Sequence, residues 1–491
     1  MRTAWSVEAV RTAERALMAE LPEGALMARA AAGLAAACVR LLPGGRAAGA
    51  RVALLAGPGD NGGDALYAGA RLARRGAAVT AVLLDPERAH PGGLAALRAA
   101  GGRLAEAVPG TGPDGPGRGP RRGVDLVLDG LLGIGGRGGL RPAAAALAAQ
   151  AAEARAAGAL VVAVDLPSGV DADTGEVAGE AVTADATVAF GAYKPGLLVD
   201  PGAGRAGALR LVDIGIGPLL AAAGDPALVA PQYADVAGAL PVPTGESDKY
   251  RRGVVGVLAG SRRYPGAAVL AVAGALRGGA GAVRYVGPCA AEVLAAYPEA
   301  LIGPGRVQAW VVGPGIGEGR EEEVGSVLAS EVPVLVDADG LRGAQFAGRS
   351  APTLITPHAG EAAALLGRPR AEVEAGRVAA VRELAARFGV TALLKGSTTL
   401  VAPAAGPEGA AAGPVWVNPT GTPWLATAGS GDVLAGLTGA LLAGGLEPVR
   451  AAGCGAFLHG LAARRLGPSP LLAHEVAGAL RGAWQDVTAE R

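Results

Sequence analysis

The chain has 491 residues, enough for two to four domains, and is 51% hydrophobic with 18% charged residues, which excludes general disorder. Lys+Arg and Asp+Glu balance at 44 each, so no basic field is available for nucleic acid and no basic tail for a membrane. Three scattered cysteines, without a CxxC or a Cys/His cluster, argue against structural zinc and a disulfide framework.

Charged residues near the start (Arg2, Glu8, Arg11) leave no signal peptide visible, and the apolar run Val433–Leu446 is too short to span a bilayer. A cytoplasmic protein is the expectation. Aromatics make up 3% of the chain, so Ala, Val, Leu and 81 Gly must form close-packed cores.

In chain order, the first half offers strands at 51–57, 78–85, 125–132, 159–169, 186–196 and 209–217. They are apolar, β-branched runs without polar alternation, as in strands buried on both faces. Ala-rich helical stretches lie between several of them. The order predicts a three-layer, Rossmann-like α/β/α domain with a mainly parallel sheet. Residues 108–123 and 403–414, dense in Pro and Gly, read as flexible surface insertions. Residues 217–250 read as a linker and the entry to a second domain. That domain alternates again, with strands at 253–261, 281–288, 309–317, 332–341, 352–358 and 391–402. No repeat of 20–50 residues is present.

The loop GPGDNGGD (57–64) follows a strand and opens a helix, and Gly57, Gly59 and Gly62 fit GxGxxG. Asp60 and Asp64 flank it, and a carboxylate repels a pyrophosphate bound at that helix N-terminus. The loop suits a cation, or the hydroxyl and amide groups of a ligand. A capped tight turn is the structural alternative. Asp129, before a glycine-rich loop, and Asp165 with Ser168, in VDLPSG, end two further strands. In a parallel sheet such ends converge on one crevice. Asn61, Asp129 and Ser168 are then hard oxygen ligands for a large cation such as potassium (K+). Asp165 is a possible proton-transfer group.

Lysine occurs three times, at Lys194, Lys249 and Lys395. Lys395 opens KGSTT (395–399) at a strand end, where an ammonium, backbone N–H groups and hydroxyls could hold phosphates; a strand-to-strand turn is the plainer reading. No GxxxxGK[ST] occurs, which excludes a P-loop enzyme. GSGD (429–432) precedes an apolar helix, so phosphate on the helix N-terminus could face Asp432 as base; Asp432 could instead simply cap that helix. His358 in TPHAGE and the GPGIG turn (313–317) follow strands, and GSRRYPGAAVLA (260–271) opens a helix. A lone histidine is more often structural than catalytic.

The first constellation, with GAYKPGL and Lys194, resembles the NAD(P)H-hydrate epimerase domain over residues 1–217. The resemblance implies potassium on Asn61, Asp129 and Ser168. It implies a substrate site of Asp60, Asn61, Gly62, Gly63, Asp64, Gly133, Ile134, Gly135, Gly136, Arg137, Gly138, Gly139 and Asp165, with Asp165 as the candidate base. Asp60 stands where the family more often has Asn.

The second set resembles the ADP-dependent NAD(P)H-hydrate dehydratase, a ribokinase-like α/β fold, over 228–491. It implies hydrate binding by Ala267, Gly315, Gly317, His358 and Asp432. It implies ADP binding by Lys395, Gly396, Ser397, Thr398, Thr399 and Gly431. Trp424, Ala428 and Ser430 depart from the family pattern. Together the resemblances imply a fused repair enzyme. One domain would interconvert the R and S hydrates, NADHX and NADPHX, and the other would dehydrate the S form with ADP and Mg2+. The family resemblance also implies a homo-oligomer. A ribokinase-like small-molecule kinase shares the second site but leaves the acidic first crevice without a role. A non-catalytic nucleotide sensor would keep its ligand response when Asp165 or Asp432 becomes Asn.

Overall fold

The computed structural model describes residues 1–111, 123–343, 346, 349–404 and 413–489. The Pro/Gly-rich insertions expected at 108–123 and 403–414 therefore lie, in residues 112–122 and 405–412, outside the described residues. The chain divides into two compact units, Thr3–Ala227 and Leu228–Arg491, with Met1–Arg2 grouped with the latter.

Among the described residues of the first unit, seven strands form one sheet in the spatial order Arg103–Ala105, Ala78–Leu83, Arg51–Ala56, Leu126–Gly130, Leu160–Val164, Ala186–Phe190, Ala208–Val212. Every neighbouring pair is parallel. The central strands are apolar throughout because both faces are covered: Leu54, Leu126, Leu128 and Val162 pack into one core, and Leu55, Val127 and Val161 into another. The direction of winding reverses between Arg51–Ala56 and Leu126–Gly130, which opens a crevice beyond their C-terminal ends.

In the second unit the strands from residue 228 onward run Leu228–Ala230, Val415–Val417, Leu400–Ala402, Thr391–Leu394, Thr353–Ile355, Val334–Val336, Ala309–Val312, Val254–Leu258, Ala282–Tyr285, Leu301–Ile302. The run expected as one strand over 391–402 is two. Thr391–Leu394 and Leu400–Ala402 pair antiparallel, and residues 395–399 form the turn between them. KGSTT breaks the apolar run, and its polar side chains stay at the sheet's end instead of inside it. The expected linker at 217–250 holds helices Gly217–Ala223 and Tyr233–Ala239 and a strand, Leu228–Ala230, that pairs with Val415–Val417. Helix Ser430–Ala443 lies against Pro265–Arg277, with Val433, Leu437 and Ala440 in the same core as Ala268, Ala271 and Ala275. No single described helix is long and apolar enough to cross a membrane.

Candidate active sites

In the first unit, Gly59 is the N-cap residue of helix Asp60–Ala73, and no side chain caps it. Asp60 is thus not spent on the cap and faces outward from the first turn. Gly62 must be glycine, since a Cβ there would lie 2.0 Å from the Gly57 carbonyl oxygen.

Asn61, Asp129 and Ser168 come together around Leu132. Asn61 Nδ2 donates to the Leu132 carbonyl at 3.0 Å. The Leu132 N–H donates to Ser168 Oγ at 2.9 Å, and Ser168 Oγ donates to Asp129 Oδ1 at 2.6 Å. Asp129 also accepts from the Ser168 N–H at 2.8 Å and the Leu131 N–H at 3.3 Å. Burial pushes its carboxyl up to about 6, and the neutral donors only partly offset that. Gly133 lies against Asn61, where a Cβ would sit 3.2 Å from the Asn61 Cβ.

Asp165 follows strand Leu160–Val164 in a left-handed conformation, φ 66°, which is strained for a residue with a Cβ. Its Oδ1 accepts from the Phe190 N–H at 3.0 Å and from the ammonium of Lys194, which also donates to the Phe190 carbonyl at 3.2 Å. Lys194 is 1% exposed. Its pairing partner was not legible in the sequence, because 29 residues separate the two.

Asp60 and Asp64 line a cavity of about 1020 Å³ together with Glu14, Met18, Tyr67 and His90. The Asp64 carboxyl is raised well above its ordinary value by burial, then by Asp165, Asp60 and Glu14. Glu14 is raised as well, mainly by burial. It belongs to helix Val7–Glu20 and carries no motif signal. The loop 133–139 is not part of that lining. Gly136, Arg137, Gly138 and Gly139 border a smaller cleft of about 130 Å³ with Asp171, and Ile134, Gly135 and Arg137 border one of about 110 Å³ with Arg11.

In the second unit, Gly429 (φ 85°) is the N-cap residue of helix Ser430–Ala443, again with no side-chain cap. Asp432 in the first turn is pushed up to about 7, by burial first and by Asp337 second, against a lowering by Lys395. Lys395 Nζ donates to Asp337 Oδ1 at 2.5 Å and lies 3.9 Å from Glu361 Oε2. Burial alone would lower the Lys395 ammonium; Asp337 and Glu361 outweigh it and raise it. A Cβ at Gly431 would sit 3.5 Å from Lys395 Nζ, so turn 395–399 and the GSGD turn face each other.

Asp337 had the same signature as Asp129 and Asp165, an acid closing an apolar strand, yet it was not singled out in the sequence. It is 1% exposed and also accepts from Thr356 Oγ1 at 2.9 Å. Gly313 (φ 122°) lets the chain pass it, as a Cβ there would lie 1.8 Å from the Asp337 carbonyl oxygen. Arg377, from helix Arg377–Phe388, braces the turn by donating to the carbonyls of Thr398 at 2.9 Å and Lys395 at 3.3 Å. Gly396 and Ser397 are exposed, while Thr398 and Thr399 are buried.

Ala267 and Gly315 are brought together: a Cβ at Gly315 would lie 2.6 Å from the Ala267 Cβ. The Gly317 N–H donates to Asp339 Oδ2 at 3.1 Å. His358 does what lone histidines commonly do. Its Nδ1 accepts from the Gly360 and Glu361 N–H groups and caps helix Ala359–Leu366, while the ring stays 59% exposed. Ser430 Oγ donates to the Leu425 carbonyl at 2.7 Å, tying the turn that carries Trp424, 40% exposed, to the Asp432 helix. His459, another residue without a sequence signal, is buried nearby against the Ser430 backbone, and burial pushes it down to about 4.

Each of the two α/β units gathers acids beyond the C-terminal ends of its strands, where open α/β sheets bind small ligands and place catalytic groups. Two family models match the chain, "YjeF-related protein N-terminus" over residues 23–196 and "NAD(P)H-hydrate dehydratase" over 255–476. A protein named bifunctional NAD(P)H-hydrate repair enzyme Nnr from Mycobacterium leprae is 47% identical over 94% of this chain and 94% of its own length. A protein of the same name from Mycobacterium tuberculosis is 48% identical over 92% and 91%. A solved structure, described as an ADP/ATP-dependent NAD(P)H-hydrate dehydratase from Bacillus subtilis co-crystallised with ATP/Mg2+, is 30% identical over 52% of this chain and 97% of that chain, with a TM-score of 0.49. The chain belongs to the bifunctional NAD(P)H-hydrate repair enzymes.

Proposed function

We propose that the unit Thr3–Ala227 epimerises the R and S hydrates of NADH and NADPH, and that the unit from Leu228 dehydrates the S form at the expense of ADP. The observation that carries the second half is Asp432. It is a buried acid poised near neutrality at the start of an apolar helix, unused as a cap and facing the Lys395 turn. A base of that poise suits removal of a hydroxyl proton at physiological pH.

Hydroxide is a poor leaving group, and phosphorylation makes it a good one. Asp432 takes the proton of the hydrate's hydroxyl as that oxygen attacks the terminal phosphorus of ADP. The Gly431 turn and Lys395 bear the charge on the transferring phosphoryl group, and Gly396, Ser397, Thr398 and Thr399 hold the nucleotide. Mg2+, when bound with ADP, neutralises phosphate charge. That transfer leaves AMP; phosphate then departs from the ring carbon with its C–O bonding pair while the neighbouring ring carbon loses a proton, which restores the ring double bond of NADH or NADPH. Ala267, Gly315, Gly317 and the outward ring edge of His358 are assigned to the hydrate.

In the first unit, Asp165 is assigned to substrate and proton transfer, and Asp60–Asp64 and Gly133–Gly139, members of which border separate clefts, are assigned to the substrate. Potassium fits Asn61, Asp129 and Ser168. The set offers oxygen donors with one buried carboxylate whose hydrogen-bond donors are all neutral, and a monovalent cation would supply its counter-charge and tie the loops at 61, 132 and 168. The test is product analysis with S-NADPHX, ADP and Mg2+. AMP, phosphate and NADPH in equal amounts are expected, whereas a stable phosphorylated hydrate would make the protein a kinase.

A further inference from the structure

Asp64 stands out among the acids of the first unit. It is buried on the wall of the 1020 Å³ cavity, 9% exposed, and its Oδ1 has no hydrogen-bond partner among the described residues. A buried carboxyl oxygen left unpaired costs free energy unless a ligand or its own proton answers it. The groups facing it are mostly of its own sign: Glu14 from helix Val7–Glu20, Asp60 one turn earlier on its own helix, and Asp165 from beyond strand Leu160–Val164. Among the described residues, Lys194 is the cation that lowers it, and Lys194 already donates to Asp165. Tyr67, His90, Glu23, Arg71 and Arg74 also line the cavity. Both burial and these neighbours favour the protonated form of Asp64.

Asp165 is arranged in the opposite way. It receives an ammonium and a backbone N–H on one oxygen, the surroundings of a carboxylate that accepts. Two carboxyl groups in contrasting environments are the signature of an acid and a base assigned by their surroundings.

We infer that Asp64 is a catalytic residue of the first unit, the proton donor that works opposite Asp165 in epimerisation. This rests on the epimerase reading above. The hydrate carries its hydroxyl on the ring carbon bonded to N1. Asp64 gives its proton to that hydroxyl; the C–O bond breaks, its electron pair leaves with water, and the N1 lone pair forms a C=N bond. Water then attacks the opposite face of the same carbon, the C=N pair returns to N1, and the surplus proton passes to Asp165. A solvent water then carries that proton from Asp165 back to Asp64. No atom or electron is gained or lost, so no oxidant or co-reactant is required.

The test follows R-to-S conversion of NADPHX above its uncatalysed rate, in the full chain, across pH. In the wild type the rate falls as pH rises above the ordinary carboxylate range, because the donor loses its proton. Asp64→Asn is expected to lose at least about 100-fold, with the residual rate free of that fall, while Asp64→Glu keeps the fall. Unchanged thermal unfolding of Asp64→Asn checks its fold. If Asp64→Asn fails to fold, the wild-type fall and its retention in Asp64→Glu decide. A wild-type rate that is flat over this range, or an Asp64→Asn protein with the full rate and the same fall, overturns the assignment and leaves the epimerase reading standing. A wild-type chain with no epimerisation overturns both.

Discussion

Lys395 Nζ meets Asp337 Oδ1 at 2.5 Å, and so binds the turn that is to hold the nucleotide to the strand end beside Asp432. The two residues act on Asp432 with opposite sign: Asp337 raises its carboxyl and Lys395 lowers it. A raised acid serves as base only when deprotonated. Dehydration at saturating ADP should therefore rise with pH through about 7 and then level off. A pH–rate profile of S-NADHX dehydration checks this; a rate that falls over the same window contradicts it.

Asp337→Asn removes the charge that raises Asp432, so the rising limb should move to lower pH. Lys395→Met removes the opposing charge, so the limb should move to higher pH, and KM for ADP should increase about 10-fold or more with the loss of a charged phosphate contact. The two shifts in opposite directions are the diagnostic result. A merely structural role would reduce the rate without moving the limb.

Asp432→Asn should cost dehydration about 100- to 10,000-fold and leave epimerisation intact. Asp165→Asn should do the reverse. Assaying each variant for both reactions separates the two sites, and loss of both reactions in either variant would argue against independent chemistry.

Lys194→Met leaves Asp165 buried without its cation. Removing one partner of a buried ion pair costs about 3–5 kcal/mol, so the thermal midpoint of the first unit should drop by several degrees and epimerisation should be lost. Adding Asp165→Asn to Lys194→Met should restore part of the stability and none of the activity. Differential scanning calorimetry checks the first statement and the epimerisation assay the second.

Asp129 supplies a cation-dependent prediction. Its carboxyl is raised from 3.8 to about 6 in the fold, so without a counter-charge stability falls as pH rises through that window. Potassium bound to Asn61, Asp129 and Ser168, as proposed, would offset that loss. At a hundredfold excess over its dissociation constant it should add about 2.7 kcal/mol, roughly 5–10 °C in the midpoint of the first unit, more at pH 8 than at pH 5. Asp129→Asn should abolish the difference between potassium chloride and an equal concentration of choline chloride.

Much of the fold could be read from residues alone. Strands such as Leu126–Gly130 and Leu160–Val164 are unbroken apolar runs because helices cover both faces, and that burial is what writes the pattern. Leu228–Ala230 and Val415–Val417 could not be read, since three residues carry no period and their strand character comes from pairing with each other. At the sites, Asn61, Asp129, Ser168, Lys395 and Asp432 were visible because each ends a strand or opens a helix beside glycine. Glu14 and His459 sit mid-helix and Arg377 opens one, and all three reach their places only through tertiary packing. His358 shows the opposite limit. Its sequence setting is equally that of a ligand contact and a helix cap, and the structure gives it the cap without removing its exposed edge.

The most direct measurement supplies a mixture of R and S NADHX with ADP, Mg2+ and potassium, and follows the absorbance of regenerated NADH. Recovery of the whole mixture, faster than spontaneous epimerisation allows, is the expected result. Recovery that stops at the S share contradicts an active first unit, and no recovery at all contradicts the repair function itself.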